Sequence, residues 1–247
     1  MYGPDIILQQ IFYGVVLGSN YVLIAIGFSL IWGVVGVLNL AHGELFMLGA
    51  FAAYFTATYL GAGLLGVTFV AMLVVFAVGV ALEKLAIEPL RRREKVEYEM
   101  STLIMTIGIS MCLQNLALIV FGAKYKGIPG YFDGLVRVGG LIVTYDRLAT
   151  FVFAAGIVGA LLLVFRYTRL GLAMRAVSEN PDAAALVGIP RQRVLAWSFG
   201  VSGALAAAAG ALLIPLYNAY PTVGTNIMLL AFSIVIFGGL GRAVNAH

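Results

Sequence analysis

The sequence predicts an all-α, polytopic membrane protein of about seven transmembrane helices, and three observations predict it. Of the 247 residues, 62% are hydrophobic and 11% charged, whereas a soluble domain carries about 25% charged residues. No Asp, Glu, Lys or Arg occurs between Asp5 and Glu44, nor again between Glu44 and Glu83, so uncharged runs far exceed the ~20 residues that cross a bilayer as a helix. None of the apolar runs alternates polar with apolar, which excludes a β-barrel. A net charge of +4 and a pI near 9.2 would suggest nucleic acid in a soluble chain. Here they reflect Lys and Arg held in loops on one side of a membrane, and no nucleic-acid partner is expected.

The elements follow in order. Met1 to Asp5 lacks the basic n-region of a cleaved signal peptide, so the first apolar segment is expected to remain as a membrane helix. Apolar runs between charges and Gly/Pro breaks fall at 6–31, 45–60, 64–82, 101–122, 148–165, 194–217 and 226–240, within a single domain spanning 1–247. Gly14 and Gly18 in the first run form a GxxxG pair, and Ser202, Ala206 and Gly210 in the sixth repeat small-xxx-small, both signs of close helix packing. Cys112, the single cysteine, lies in the fourth run and reads as a small buried side chain. Between the fourth and fifth runs, Val136 to Val143 reads as two short β runs about Gly139 and Gly140, a small hairpin. The last run would be only ~22 Å long as a helix, short for a ~30 Å apolar core.

Charge position orients the chain. Ten of the fifteen basic residues fall in two loops: Lys84, Arg91, Arg92, Arg93 and Lys95 in one, Arg166, Arg169, Arg175, Arg191 and Arg193 in the other. Both loops are expected on the cytoplasmic face. Three spans precede the first of them, which places the N-terminus outside, and Arg242 returns to the cytoplasm. The segment 123–147 must then be external although it carries Lys124, Lys126, Arg137 and Arg147.

The second basic loop holds a short helix with clear ends. Asn180 is a good N-cap, Pro181 suits the first helical position, and Gly188 with Pro190 stops the helix after about two turns. Glu179 and Asp182 are placed at its positive end, where the dipole favours each by a few tenths of a kcal/mol. Ala183, Leu186 and Val187 share one small apolar face. A helix this short is marginal alone, so it is held either in a groove of a partner or against the protein's own membrane face.

Polar residues within apolar runs need an explanation, because an ionised carboxylate near the bilayer centre costs roughly 2.5–3.5 kcal/mol. Asn20, Asn39, His42 and Glu44 are these residues, and Gly33, Gly36 and Gly43 accompany the last three. Two readings stand. In one, a broken or re-entering helix exposes backbone groups to a cavity, and Asn39, His42 and Glu44 shape a translocation path. In the other, Asn39 caps the second helix at a cytoplasmic turn, with Glu44 in its first turns. Asn20 either contacts a transported solute or bonds a neighbouring helix.

Three motifs in order carry a family resemblance. Asn39-Leu40-Ala41-His42-Gly43-Glu44, then Glu179 to Ile189 with Asp182-Ala183-Ala184 and Gly188, then Gly238-Gly239-Leu240-Gly241 resemble the LivH-type permeases of branched-chain amino acid importers. The middle motif matches the EAA-xxx-G core of the ABC importer coupling loop, with Asp for Glu. The resemblance, which covers residues 9–241, implies an ABC-importer-type permease in a bacterial inner membrane, surrounded by lipid. It implies four kinds of contact: a homologous permease subunit, two ATP-binding cassette subunits, an extracytoplasmic substrate-binding protein, and solute in the path. Glu179, Asn180, Pro181, Asp182, Ala183, Ala184, Leu186 and Gly188 would form the coupling helix that enters a cleft of the ATPase, with Arg175 and Arg191 flanking it. No Walker motif occurs in the chain, so no cofactor is expected on it and ATP is expected on the partner subunits. The family continues with about two more apolar segments after its Gly-Gly-Leu-Gly motif, so the chain is expected to be C-terminally short.

Other functions fit less of the sequence. A membrane enzyme lacks its parts: two histidines, one of them His247, supply neither a metal cluster nor a Ser/His/Asp set. A proton-coupled secondary transporter or channel would use Glu44 with His42 as a relay, but leaves the capped helix at Asn180 without a purpose.

Overall fold

A computed structural model of the protein describes residues 4–93, 98–138 and 141–238. Its centre is a helix near the C-terminal end, α9 (Arg191–Tyr217), against which α1 (Pro4–Val35), α2 (His42–Leu60) and α3 (Leu64–Leu82) all pack. The run Leu205-Ala206-Ala207-Ala208-Ala209-Gly210-Ala211 explains why: every residue in it is buried, and small side chains let backbones touch. An added Cβ on Gly49 of α2 would lie 2.3 Å from Ala207 Cα, and one on Gly210 would lie 2.5 Å from the Phe46 carbonyl oxygen. Such contact supplies dispersion where lipid leaves no hydrophobic drive between helices.

The remaining elements surround this centre. A π-helical turn (Glu83–Ile87) carries α3 into α4 (Glu88–Arg93), and Arg91 Nη2 reaches back 2.9 Å to the fully buried Glu83 Oε1. The outer helices α5 (Tyr98–Phe121) and α6 (Tyr145–Tyr167) bury few residues in the chain. Between them, β1 (Leu135–Val138) pairs antiparallel with β2 (Leu141–Thr144), the hairpin expected from sequence; its Gly139-Gly140 turn lies outside the described residues. Then come α7 (Arg169–Glu179), α8 (Pro181–Leu186), α9 and α10 (Val223–Gly238).

Among the described residues each of the seven apolar runs falls on a helix, but five helices are long and apolar enough to cross a membrane: 6–35, 64–93, 98–121, 145–167 and 191–217. The expected count of about seven spans is therefore not reproduced by length and composition. The other two, α2 and α10, are those whose first turns start inside the bundle.

Two ends of the molecule are distinguished by contact. At one end, Tyr13 of α1 donates to the Ile142 carbonyl of the hairpin at 2.9 Å, and the Arg147 guanidinium lies 3.8 Å over the Tyr13 ring. There too Tyr131 donates its amide to Asp146 at 2.7 Å and its hydroxyl to the Ala211 carbonyl at 2.7 Å. Burial, with the Asp146 charge adding to it, pushes the Tyr131 phenol up, which keeps it a donor. At the opposite end, Leu30 and Val34 of α1 meet Met174 and Val177 of α7 and Val194 and Leu195 of α9. The N-terminal half of α1 and the segment 123–147 thus share a side, opposite the α7–α8 loop.

Two packing expectations are corrected. Cys112 is exposed on α5 rather than buried, because α5 turns most of its surface outward. Gly14 and Gly18 mark no close helix contact within the chain: a Cβ on either would meet nothing within 4 Å. Ser202, Ala206 and Gly210 do line a helix contact.

Candidate functional site

The segment between α1 and α2 decides where the polar residues sit. Gly36, at φ +78°, ends α1 by donating its amide to the Trp32 carbonyl, a left-handed stop that favours glycine. His42 opens α2, yet its Nε2 lies 3.1 Å from the carbonyl of Ile24, a residue in the middle of α1. Eleven residues of helix separate Ile24 from Val35, about 16 Å of rise. Residues 36–41 therefore climb back along α1, within reach of six extended residues at ~3.3 Å each, and α2 begins inside the bundle. The Leu40 amide of this returning segment donates to Thr106 Oγ1 of α5 at 3.3 Å. Irregular backbone at depth is sustained only where protein or a cavity satisfies it.

The four polar residues are placed as follows. Asn39 is buried, and its Oδ1 accepts from the Ala41 amide at 3.1 Å; the N-cap of α2 is Ala41, with no side-chain cap. Asn39 thus ties the returning segment rather than capping the helix itself. His42 is fully buried; a carbonyl only accepts, so Nε2 carries the proton to Ile24, and Nδ1 lies 3.3 Å from Ser202 Oγ, which donates to the Gly27 carbonyl at 2.7 Å. Glu44, in the first turn of α2, accepts on Oε1 from Gln114 Nε2 at 2.7 Å and Ser110 Oγ at 3.0 Å. Asn20 donates to the Val16 carbonyl of its own helix at 2.9 Å. The contact to a neighbouring helix comes from the next residue, Tyr21, hydroxyl to hydroxyl with Tyr217 of α9.

Asn39, His42 and Glu44 are thereby together, and Asn20 belongs to a separate group. Among the described residues no hydrogen bond joins His42 to Glu44, so a direct relay between them is not formed. Sequence reasoning missed Ser110, Gln114 and Thr225, which complete the Glu44 cluster: Gln114 Nε2 also reaches Thr225 Oγ1 of α10 at 3.1 Å. Their signal was three uncharged polar residues in apolar helices, each unremarkable alone.

The α7–α8 loop is the second group. Asn180 ends α7 and caps α8, with Oδ1 accepting from the amides of Asp182 at 3.1 Å and Ala183 at 2.9 Å. Pro181 takes the first turn, and Gly188 at φ +83° closes the other end, with its amide on the Ala185 carbonyl. Ala184 is buried against the α1–α7–α9 cluster. Ala183, Leu186 and Val187 face outward, Leu186 at 90% exposure. Two expectations change. The helix is not isolated, because 169–179 is itself helical, and Glu179 falls at the C-terminal end of α7 rather than the positive end of α8. There the dipole disfavours a carboxylate; Asp182 alone holds the favoured place. The third motif, beyond Gly238, and Lys95, Arg242 and His247 lie outside the described residues.

Residues 10–246 match the family model for the branched-chain amino acid transport system permease component. The chain is 34% identical over 257 residues to the high-affinity branched-chain amino acid transport system permease protein LivH of Escherichia coli K12, covering 97% of this chain and 81% of that protein. It is 33% identical over 253 residues to the permease protein BraD of Pseudomonas aeruginosa, with the same coverage, and 30% identical over 246 residues to a probable LivH of Methanocaldococcus jannaschii, covering 94% and 74%. No solved structure matches the chain. A bundle of apolar helices, with a helix re-entering it and a capped loop helix at one end, accompanies a match over nearly the whole sequence: the chain is a multi-pass membrane protein that belongs to the family of branched-chain amino acid transport system permease components.

Proposed function

We propose that the chain is the translocating subunit of an ATP-driven importer of branched-chain amino acids. It pairs with a homologous permease, the pair sits on two ATP-binding cassette subunits with the α7–α8 loop of this chain in a cleft of one of them, and it receives solute from an extracytoplasmic binding protein, with its N-terminus outside. The observation that carries the coupling role is Leu186. A leucine 90% exposed beside an exposed Val187, on a helix capped at both ends and anchored underneath by Ala184, is rigid and apolar where water would otherwise be its only contact. Such a face suits a groove on a soluble partner. The substrate reading rests on the names of the relatives, and an apolar path with few polar groups accords with aliphatic zwitterions.

The test is Leu186→Glu in the complete transporter in proteoliposomes. Solute uptake is expected to fall at least about tenfold, as loss of a buried anchor contact does, while the yield of folded permease is unchanged. Wild-type uptake should stop when ATP is withdrawn and persist when the proton gradient is dissipated. Uptake by the variant at the wild-type rate would refute the docking role, and gradient-dependent uptake would favour a secondary carrier.

A further inference from the structure

The Glu44 cluster has a carboxyl oxygen without a partner. Glu44 is buried to 1% exposure, and its Oε1 takes both available donors, Ser110 Oγ and Gln114 Nε2. Its Oε2 is buried and has no hydrogen-bond partner. Among the described residues the Lys/Arg pairings with carboxylates are Arg91–Glu83 and Arg92–Glu88, so no resident cation serves Glu44. A buried carboxylate half satisfied in this way is costly, and intramembrane carboxylates usually face a pathway.

The cluster also has an opening. Thr225 is exposed and Gln114 half-buried, and the two are joined at 3.1 Å, so a polar ladder runs from the protomer surface through Thr225 and Gln114 to Glu44. It bridges three helices. One is α5, which buries few of its residues; the others are the first turns of α2 and α10, which meet where a Cβ on Gly43 would be 2.3 Å from the Gly224 carbonyl oxygen. A Cβ on Gly224 would in turn lie 2.9 Å from Glu44 Oε2, so only glycine leaves the flank of that oxygen clear.

We propose that this cluster is the ammonium-recognition point of the translocation path. An ammonium group presents three donors and needs a carboxylate with further acceptors around it; Glu44 Oε1, the Ser110 hydroxyl and the Thr225 hydroxyl provide them. In the form described, the Gln114 amide occupies the place on Glu44 that an incoming ammonium competes for. Passage of the solute exchanges one donor for the other and loosens the tie between α5, α2 and α10. The assignment rests on the amino-acid importer reading above.

The experiment uses the complete transporter in proteoliposomes with L-leucine as probe. For Glu44→Gln, KM for uptake is expected to rise about tenfold or more, the worth of one charge-assisted hydrogen bond, while the yield of assembled transporter is unchanged. Glu44→Asp, which keeps the carboxylate, should recover most of the loss. Gln114→Ala removes the competing donor and should lower KM about threefold. Should Glu44→Gln not assemble, the Gln114→Ala result decides the matter. Unchanged KM in Glu44→Gln beside an active wild type, or unchanged KM in Gln114→Ala, overturns the ammonium contact alone. A wild-type complex that takes up no L-leucine overturns the amino-acid reading and the contact with it.

Discussion

At the residue scale, His42, Asn39 and Glu44 each tie one piece of the bundle to another, and glycine decides which backbones can meet. His42 links α2 to the middle of α1, with Ser202 of α9 beside its other ring nitrogen; Asn39 links the returning segment to itself; Glu44 links α2 to α5. Gly43 and Gly224 let the first turns of α2 and α10 touch, since a Cβ on Gly224 would lie 2.5 Å from the Gly43 carbonyl oxygen. Gly43→Ala is therefore expected to lower stability by about 1–3 kcal/mol through overpacking against backbone that has no rotamer to change. Thermal unfolding in detergent measures this, and a melting temperature equal to wild type would show that α10 does not sit against α2 as described.

At the element scale, the α7–α8 corner shows one residue ending one helix and starting the next. Asn180 was legible as an N-cap because Pro181 follows it and Gly188 with Pro190 closes the run. That 169–179 is also a helix was less legible. It has Gly171 near its start, and its apolar residues Met174 and Val177 are stabilised by Leu30, Val34 and Val194, which are remote in sequence. Tertiary packing overrides weak local propensity in this way. Asn180→Ala removes both side-chain bonds to the α8 amides and is expected to cost about 1 kcal/mol locally. Faster amide hydrogen exchange at Asp182 and Ala183, with exchange in α9 unchanged, is the predicted signature; uniform exchange across the loop would contradict it.

At the scale of the whole molecule, charge and contact agree on two opposed ends. Arg147 lies with the hairpin and the outer part of α1, and Lys126 beside Tyr54 and Phe55 of the last turns of α2, whereas Arg166, Arg169, Arg175, Arg191 and Arg193 belong to α7 and the helix ends that flank the α7–α8 loop. In intact cells a membrane-impermeant maleimide is expected to label Tyr125→Cys, whose position is exposed, and to leave Gln192→Cys, exposed at the start of α9, unlabelled until the membrane is opened. Both variants need Cys112→Ser, because Cys112 is itself exposed. The reverse labelling pattern would invert the proposed orientation.

The sequence by itself determined the membrane setting, the apolar helices, the hairpin and the capped loop helix. Each of these is written in local signals: hydropathy over a bilayer's length, a Gly-Gly turn, an Asn-Pro start and a Gly stop. Only the tertiary structure decided how deep α2 begins, since a return of six residues and a true surface turn have the same composition. It alone brought Ser110, Gln114 and Thr225 to Glu44 across gaps of 66 and more residues in the chain, and it turned Cys112, Gly14 and Gly18 outward. Local sequence sets what a segment becomes because neighbouring residues fix its backbone. Which side chains face one another inside a bundle depends on helix rotation and depth, and those are set by packing against residues far away in the chain.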